Sequence, residues 1–253
     1  MILDIQKASL LKRVSAALLD VILLLVLVTG FAFGLSAVTG FDTYGQRLQE
    51  VQKKYETEYG VSFDTSEQDY AALTDEQRAA IDEAFEAFSE DGEAVYLYNM
   101  QINLILLISS LSILLGYLIL EFALPLIFKN GQTVGKKIFG LALMRTDGVR
   151  LCATSLFART VLGKYAIETM VPVAIVIMIA LQALGLTGTL VLLLLLALEV
   201  GVMIYTKTNS CLHDLIGGSV VVELSSQMIF DTEEELLAYK KRIHEERTKE
   251  AGY

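Results

Sequence analysis

The chain has 253 residues, 54% of them hydrophobic, and 30 acidic against 20 basic side chains give it a net charge of −10. Soluble domains hold roughly 45–50% apolar residues, and here the excess falls in blocks, which points away from a soluble globular fold and toward a membrane protein. Only two cysteines (Cys152, Cys211) and two histidines (His213, His244) occur, in no metal-ligand spacing, so neither a metal nor a cofactor is expected. No nucleic-acid partner is expected either.

In chain order, the first apolar block runs from Val14 to Val38 behind Lys7, Lys12 and Arg13. It is longer than a signal-peptide core and Asp20 interrupts it, so it reads as a retained span. Residues 39–102 form an acidic insert, with four basic residues against fifteen acids from Asp42 to Glu93. Leu48, Val51, Tyr55 and Tyr59, then Ile81, Phe85 and Phe88, recur at helical spacing. Gly60 to Asp64 is the expected turn, and Thr74 with Gln77 has capping-box spacing. The insert therefore predicts a helical hairpin. A second span covers 103–128. A basic connector with an amphipathic helix from Ser155 follows over 129–168. Spans three (Thr169–Leu184) and four (Thr187–Thr206) come next, joined by Gly185-Leu186 as a tight hairpin. About 20 apolar residues cross ~30 Å of hydrocarbon, and only span three is short of that. A His-Asp segment over 207–222 and a charged tail over 223–253 complete the chain. Thr232 and Glu235 give the tail a helix start.

Lysine and arginine gather at residues 1–13, in the connector and in the tail. The positive-inside rule therefore puts both ends in the cytoplasm and the acidic insert outside. The expected fold is all-α: a four-helix transmembrane bundle with an external helical hairpin and a small cytoplasmic connector. The lipid bilayer is its first partner.

Charges inside spans are costly, so each marks a candidate site. Asp20 shares a helix face with Arg13, two turns away. Glu121 lies eight residues before Lys129, and Glu199 eight before Lys207, so the three carboxylates have similar depth in the inner half of the bilayer. They form either a cation- or proton-handling cluster or ion pairs with Arg13, Arg159 or Lys164. Gly30 with Gly34, and Ser112 with Gly116, are small-residue pairs for close helix packing. Pro172 should kink or start span three. The stretch Gly131-Gln132-Thr133-Val134-Gly135-Lys136-Lys137 lacks the spacing of a phosphate loop. Residues 138–151 read as a short hairpin turning at Asp147-Gly148.

Three motifs together resemble the RDD family of bacterial membrane proteins. Arg13 and Asp20 stand in Lys12-Arg13-Val14-Ser15-Ala16-Ala17-Leu18-Leu19-Asp20, and Asp214 in His213-Asp214. These match the arginine and two aspartates that name the family. The Gly131–Lys137 stretch, Arg159 and Gly218-Ser219 are also similar to it. The resemblance covers 12–38 and about 103–222, and it implies a multi-pass protein of the bacterial inner (cytoplasmic) membrane. Transport or ion exchange is the usual suggestion for that family. The expected function is handling of small cations or protons through Arg13, Asp20 and Asp214, with Arg159, Glu121, Glu199 and His213 as further candidates. A salt bridge from Asp214 to Arg13 or Arg159 is the simpler role for that aspartate. The rival is a non-transporting adaptor or regulatory subunit that binds a membrane or extracellular protein through the insert or tail. With no nucleophile–base pair or phosphate loop, enzyme activity is not expected.

Overall fold

The computed structural model describes Ile5, residues 8–180 and residues 182–250; Lys7 lies outside them. In order the chain forms α1 (Leu10–Thr39), α2 (Phe41–Tyr59), α3 (Glu67–Ala72), α4 (Asp75–Glu90), α5 (Gly92–Phe128), α6 (Val134–Ile138), β1 (Leu141–Arg145), α7 (Ala153–Ala180), α8 (Gly185–Tyr205), α9 (Leu212–Ile216), β2 (Ser219–Glu223) and α10 (Glu233–Glu250). Among the described residues, α1, α5, α7 and α8 are long and apolar enough to cross a membrane. They display large apolar side chains such as Leu18, Leu25, Phe33 and Leu194, a surface that suits lipid and not water.

The span boundaries move outward from those expected. The second begins at Gly92, not near Asn103, and the amphipathic lead-in from Ser155 is the first part of one continuous helix, α7. Its partner α8 starts at Gly185 itself, so the link between them lies earlier, at residues 182–184. Pro172 neither starts nor ends α7. Both prolines follow a widened, π-helical stretch: Leu118–Ala123 precedes Pro125 and Ala158–Met170 precedes Pro172. A proline lacks an N–H and crowds the carbonyl four residues back. The wider turn absorbs that misfit without breaking the helix.

Two compact units emerge. One holds residues 29–112. There α2 ends at Gly60, in the left-handed region with φ 66°, and packs on α4 through aromatic rings. Tyr55 meets Phe88, and Phe63 meets Phe85, each at 5.9 Å between centroids. The insert is thus three helices and not two, since short α3 sits in the turn with Tyr70 bonded to Asp82 at 2.8 Å. Thr74 and Gln77 form the capping box that their spacing predicts. At the start of α5, Asp91 accepts from the backbone N–H groups of Glu93 and Ala94, both at 2.8 Å, and from the Tyr55 hydroxyl at 3.0 Å.

Those bonds, that from Ala94 first and Tyr55 next, hold the Asp91 carboxyl below its ordinary range. A depressed carboxylate adds stability above its unfolded pKa, near 4, and loses it as pH falls through the lower folded value. Hydrogen-exchange protection of α2 and α4 should therefore drop below about pH 4. Asp91→Asn should flatten that dependence; an unchanged profile would disprove the role. Gly30 and Gly34 are not packing sites here, since a Cβ on either would meet nothing within 4 Å.

The other unit takes residues up to Val28 and from Ile113 on. In it Gly116 does serve close packing, because an added Cβ would stand 2.9 Å from Leu24 Cδ1 of α1. The fold is not wholly α. β1 pairs antiparallel with β2, Leu141 opposite Glu223 and Arg145 opposite Ser219. The expected local hairpin is present but short, with Gly148 N–H donating to Arg145 O at 3.0 Å and Arg145 N–H to Val149 O at 2.8 Å. Beyond it, Met144 and Arg150 share an isolated bridge. The β-branched run Val220–Val222 pairs along one edge of β1, while Arg150 meets Met144 on the other. One sheet face packs Leu141, Leu143 and Val221 on Ala8, Ala16, Leu151 and Leu156. The other covers Ala142, Met144, Val220 and Val222 with Ile5 and Ile229.

Helix α10 does not float free. Val149, Phe230 and Leu236 form a small core at its start. Arg150 pairs with Asp231 at 2.5 Å, and Arg145 with Glu233 at 2.8 Å.

Candidate functional site

The charged candidates gather where the two π-helical stretches meet α9. Arg159 lies on the second stretch, 1% exposed, and bridges two carboxylates. Its Nε donates to Asp214 Oδ1 at 3.0 Å and its Nη1 to Glu121 Oε2 at 3.1 Å. Arg13 of α1 donates to Asp214 Oδ2 at 3.3 Å and to the Thr208 carbonyl at 3.1 Å. Lys164 bonds Glu121 Oε1, and Lys136 Nζ stands 3.5 Å from Glu121 Oε2. The widened turns serve this cluster. Carbonyls that a wide turn frees need new donors, and the Thr160 hydroxyl bonds Glu121 O at 3.0 Å while Thr169 bonds Lys164 O at 2.8 Å.

Asp214 ends up with the most partners. Besides both arginines it takes the Ser219 hydroxyl at 3.2 Å and the Cys211 N–H at 3.3 Å. Burial disfavours its charged form, but His213, Arg159 and Arg13 outweigh that and hold the carboxyl well below the usual range. On Lys136 burial wins, lowering the ammonium to about 8 despite Glu121.

Asp20, Glu121 and Glu199 do not meet at one point: Lys136 links Glu121, at 3.5 Å, to the Thr133 hydroxyl bonded to Asp20, and Glu199 is separate. Asp20 accepts from the Thr133 hydroxyl and from Gly135 N–H, the latter at 2.8 Å, and so anchors the start of α6 to α1. Glu121 is enclosed by three cations. A cavity of about 150 Å³ beside them is lined by Arg13, Asp20, Lys136, Arg159, Lys164 and His213. Four cationic side chains outnumber Asp20 in that lining, which Cys211 shares.

Glu199 stands apart, near Cys211 and Leu212. It lines a second pocket of about 370 Å³ with Glu168, Pro172 and Leu212. Glu168 takes the His213 ring Nδ1 at 2.7 Å and the His213 N–H at 2.8 Å. Glu168 escaped the sequence reading because span three was drawn from Thr169. Drawn from Ala153, the same hydropathy would have made it a fourth acid within a span. Glu199, Cys211 and His213 each offer a donor atom, all within 4.8 Å of one another. Burial pushes the Cys211 thiol up to about 12, so it is protonated in the absence of a metal.

Glycine lets α9 come this close. A Cβ at Gly163 would sit 2.7 Å from both Cα and Cβ of His213.

A family model described as the RDD family matches residues 7–218. The chain belongs to the RDD family. No curated protein and no solved structure shows significant similarity. With its four long apolar helices, this RDD protein is a multi-pass membrane protein. Arg13, Asp20 and Asp214, the residues matching the family name, take part in two separate contacts. Arg13 and Asp214 bond each other, whereas Asp20 holds α6. The matched range also runs through residues 39–102 and stops before α10.

Proposed function

We propose that this RDD protein lies in the cytoplasmic membrane of a bacterium as a four-helix bundle, with both ends inside and the acidic 41–91 segment outside, and that it transports or exchanges a small cation. Support for the orientation is the lysine and arginine bias. Support for the cation is one observation: Glu168 and Glu199 line a single pocket with apolar walls. Glu121 and Asp214 are satisfied by fixed guanidinium and ammonium groups. In this arrangement the arginine-centred network is scaffold and the Glu168–Glu199 pocket is where a cation dwells.

The test is flux in proteoliposomes. Wild-type protein should dissipate a gradient of at least one cation, and Glu199→Gln, still monodisperse, should cut the rate about tenfold or more, the loss of a charged group worth over ~1.4 kcal/mol. No flux under sodium, potassium, proton or divalent gradients would defeat this function. That result would favour the adaptor, for which the aromatic-cored α2–α4 unit with its acidic exterior is the natural docking element.

A further inference from the structure

We infer that Glu199, Cys211 and His213 bind a divalent transition metal of the zinc, cobalt or nickel type at the end of α8. This rests on the cation function for its pocket and names the class of cation. The sequence gives no hint of it, because the donors come from two segments: Glu199 from α8, and Cys211 and His213 from the turn that opens α9.

The donor chemistry selects the ion. A thiol, an imidazole and a carboxylate are a zinc-like set, and three protein ligands leave a position open to water or to another carboxylate. Sodium, magnesium and calcium favour shells of oxygen alone. The donor atoms already lie within 4.8 Å of one another. Metal–ligand bonds of about 2.0–2.3 Å put donors of one ion roughly 3.5 Å apart, so the trio needs to contract by about 1 Å, within the reach of side-chain rotation. Binding forms a sulfur–metal bond, and the thiol proton leaves to solvent.

An independent observation concerns the histidine. Its Nδ1 is held by both oxygens of Glu168, at 2.8 and 2.7 Å. Metal-binding histidines are oriented by such a carboxylate on the ring nitrogen that does not ligate. Ligation through the other nitrogen, Nε2, which stands 3.5 Å from Asp214 Oδ1, would fit that arrangement. Of the trio, Glu199 lines the 370 Å³ pocket with Glu168 and Leu212, while Cys211 and His213 line the neighbouring 150 Å³ cavity, so the donors stand between the two.

Cobalt is the probe. Detergent-purified full-length protein titrated with Co²⁺ should develop a thiolate-to-cobalt charge-transfer band, saturating at one ion per chain and erased by Zn²⁺. Cys211→Ser should abolish the band, and Cys152→Ser, at an exposed thiol, should keep it. Glu168→Gln should weaken cobalt binding about 10–100-fold, the usual cost of losing a carboxylate behind a ligand, with the band intact at saturation. Absence of the band in the wild type, or its survival in Cys211→Ser, overturns the site. Flux is a separate readout. A cobalt band without flux upholds the site and defeats transport, and sodium or potassium flux without a band does the reverse.

Discussion

Arg159→Ala should destabilise the protein by about 3–5 kcal/mol, the usual cost of removing one partner from a buried ion network. The guanidinium touches Glu121 and Asp214 at once. Without it, Glu121 keeps two lysines, but Asp214, fully buried, keeps Arg13 as its fixed cation among the described residues. A lower unfolding midpoint in an SDS titration and loss of the monodisperse peak would show the effect. Arg159→Lys should recover only part of it, because an ammonium cannot present the two separated N–H directions that Nε and Nη1 use here. The informative variant is the triple Arg159→Met, Glu121→Gln, Asp214→Asn. It leaves no unmatched buried carboxylate and should be more stable than Arg159→Ala, although Lys136, Lys164 and Arg13 lose carboxylate partners. If the single and triple variants unfold alike, side-chain volume and not charge explains the site.

Gly135→Ala should be nearly as damaging, for a steric reason. An added Cβ would stand 2.3 Å from the Ala16 carbonyl oxygen and 2.9 Å from the Asp20 carboxylate carbon. The Asp20 side chain could turn aside, but the Ala16 oxygen is backbone and cannot, so α6 must separate from α1. Separation would break the Gly135 N–H bond to Asp20 and expose the sheet face that rests on Ala16. Overpacking of this kind costs about 1–3 kcal/mol or more, and freeing the buried aspartate adds about 1–3. Gly201→Ala is the control, since a Cβ there meets nothing within 4 Å and alanine is the better helix former. Thermal unfolding in detergent should show a large loss for Gly135→Ala and little or none for Gly201→Ala. Equal losses would refute the close-approach argument.

How much of this could be read beforehand differs by element. The four apolar helices were legible because hydropathy is summed over some 20 residues and tolerates local error. Thr74 and Gln77 were legible for the opposite reason: a capping box is decided within four residues. The β1–β2 pairing is not, because no local signal marks a partner strand that lies beyond two further apolar helices. The three equal-depth carboxylates illustrate a further limit. Depth follows from counting along each helix, but facing requires the rotation of each helix, and two π-helical stretches shift that rotation where Glu121 and Arg159 sit. The link between Asp214 and both arginines came through as an alternative because opposite buried charges seek each other whatever the rotation. Glu168 lies just outside a span that begins at Thr169, and Cys211 meets Glu199 across the fold and not along the chain.

The pairing of β1 with β2 spans α7 and α8, and this fixes an order of assembly. Ribosomes release Glu121, β1 and Arg159 well before Asp214 and β2 exist. Until the final apolar helix has been laid into the bilayer, Arg159 lacks one of its two anions and β1 has an open edge. The closing piece is a stretch of about a dozen residues, Cys211 to Glu223, that supplies the aspartate, the strand and two of the metal donors together. A nascent chain cut off after Tyr205 would hold four hydrophobic helices yet carry an unmatched guanidinium and a bare strand, features by which quality control tells an unfinished protein from a finished one.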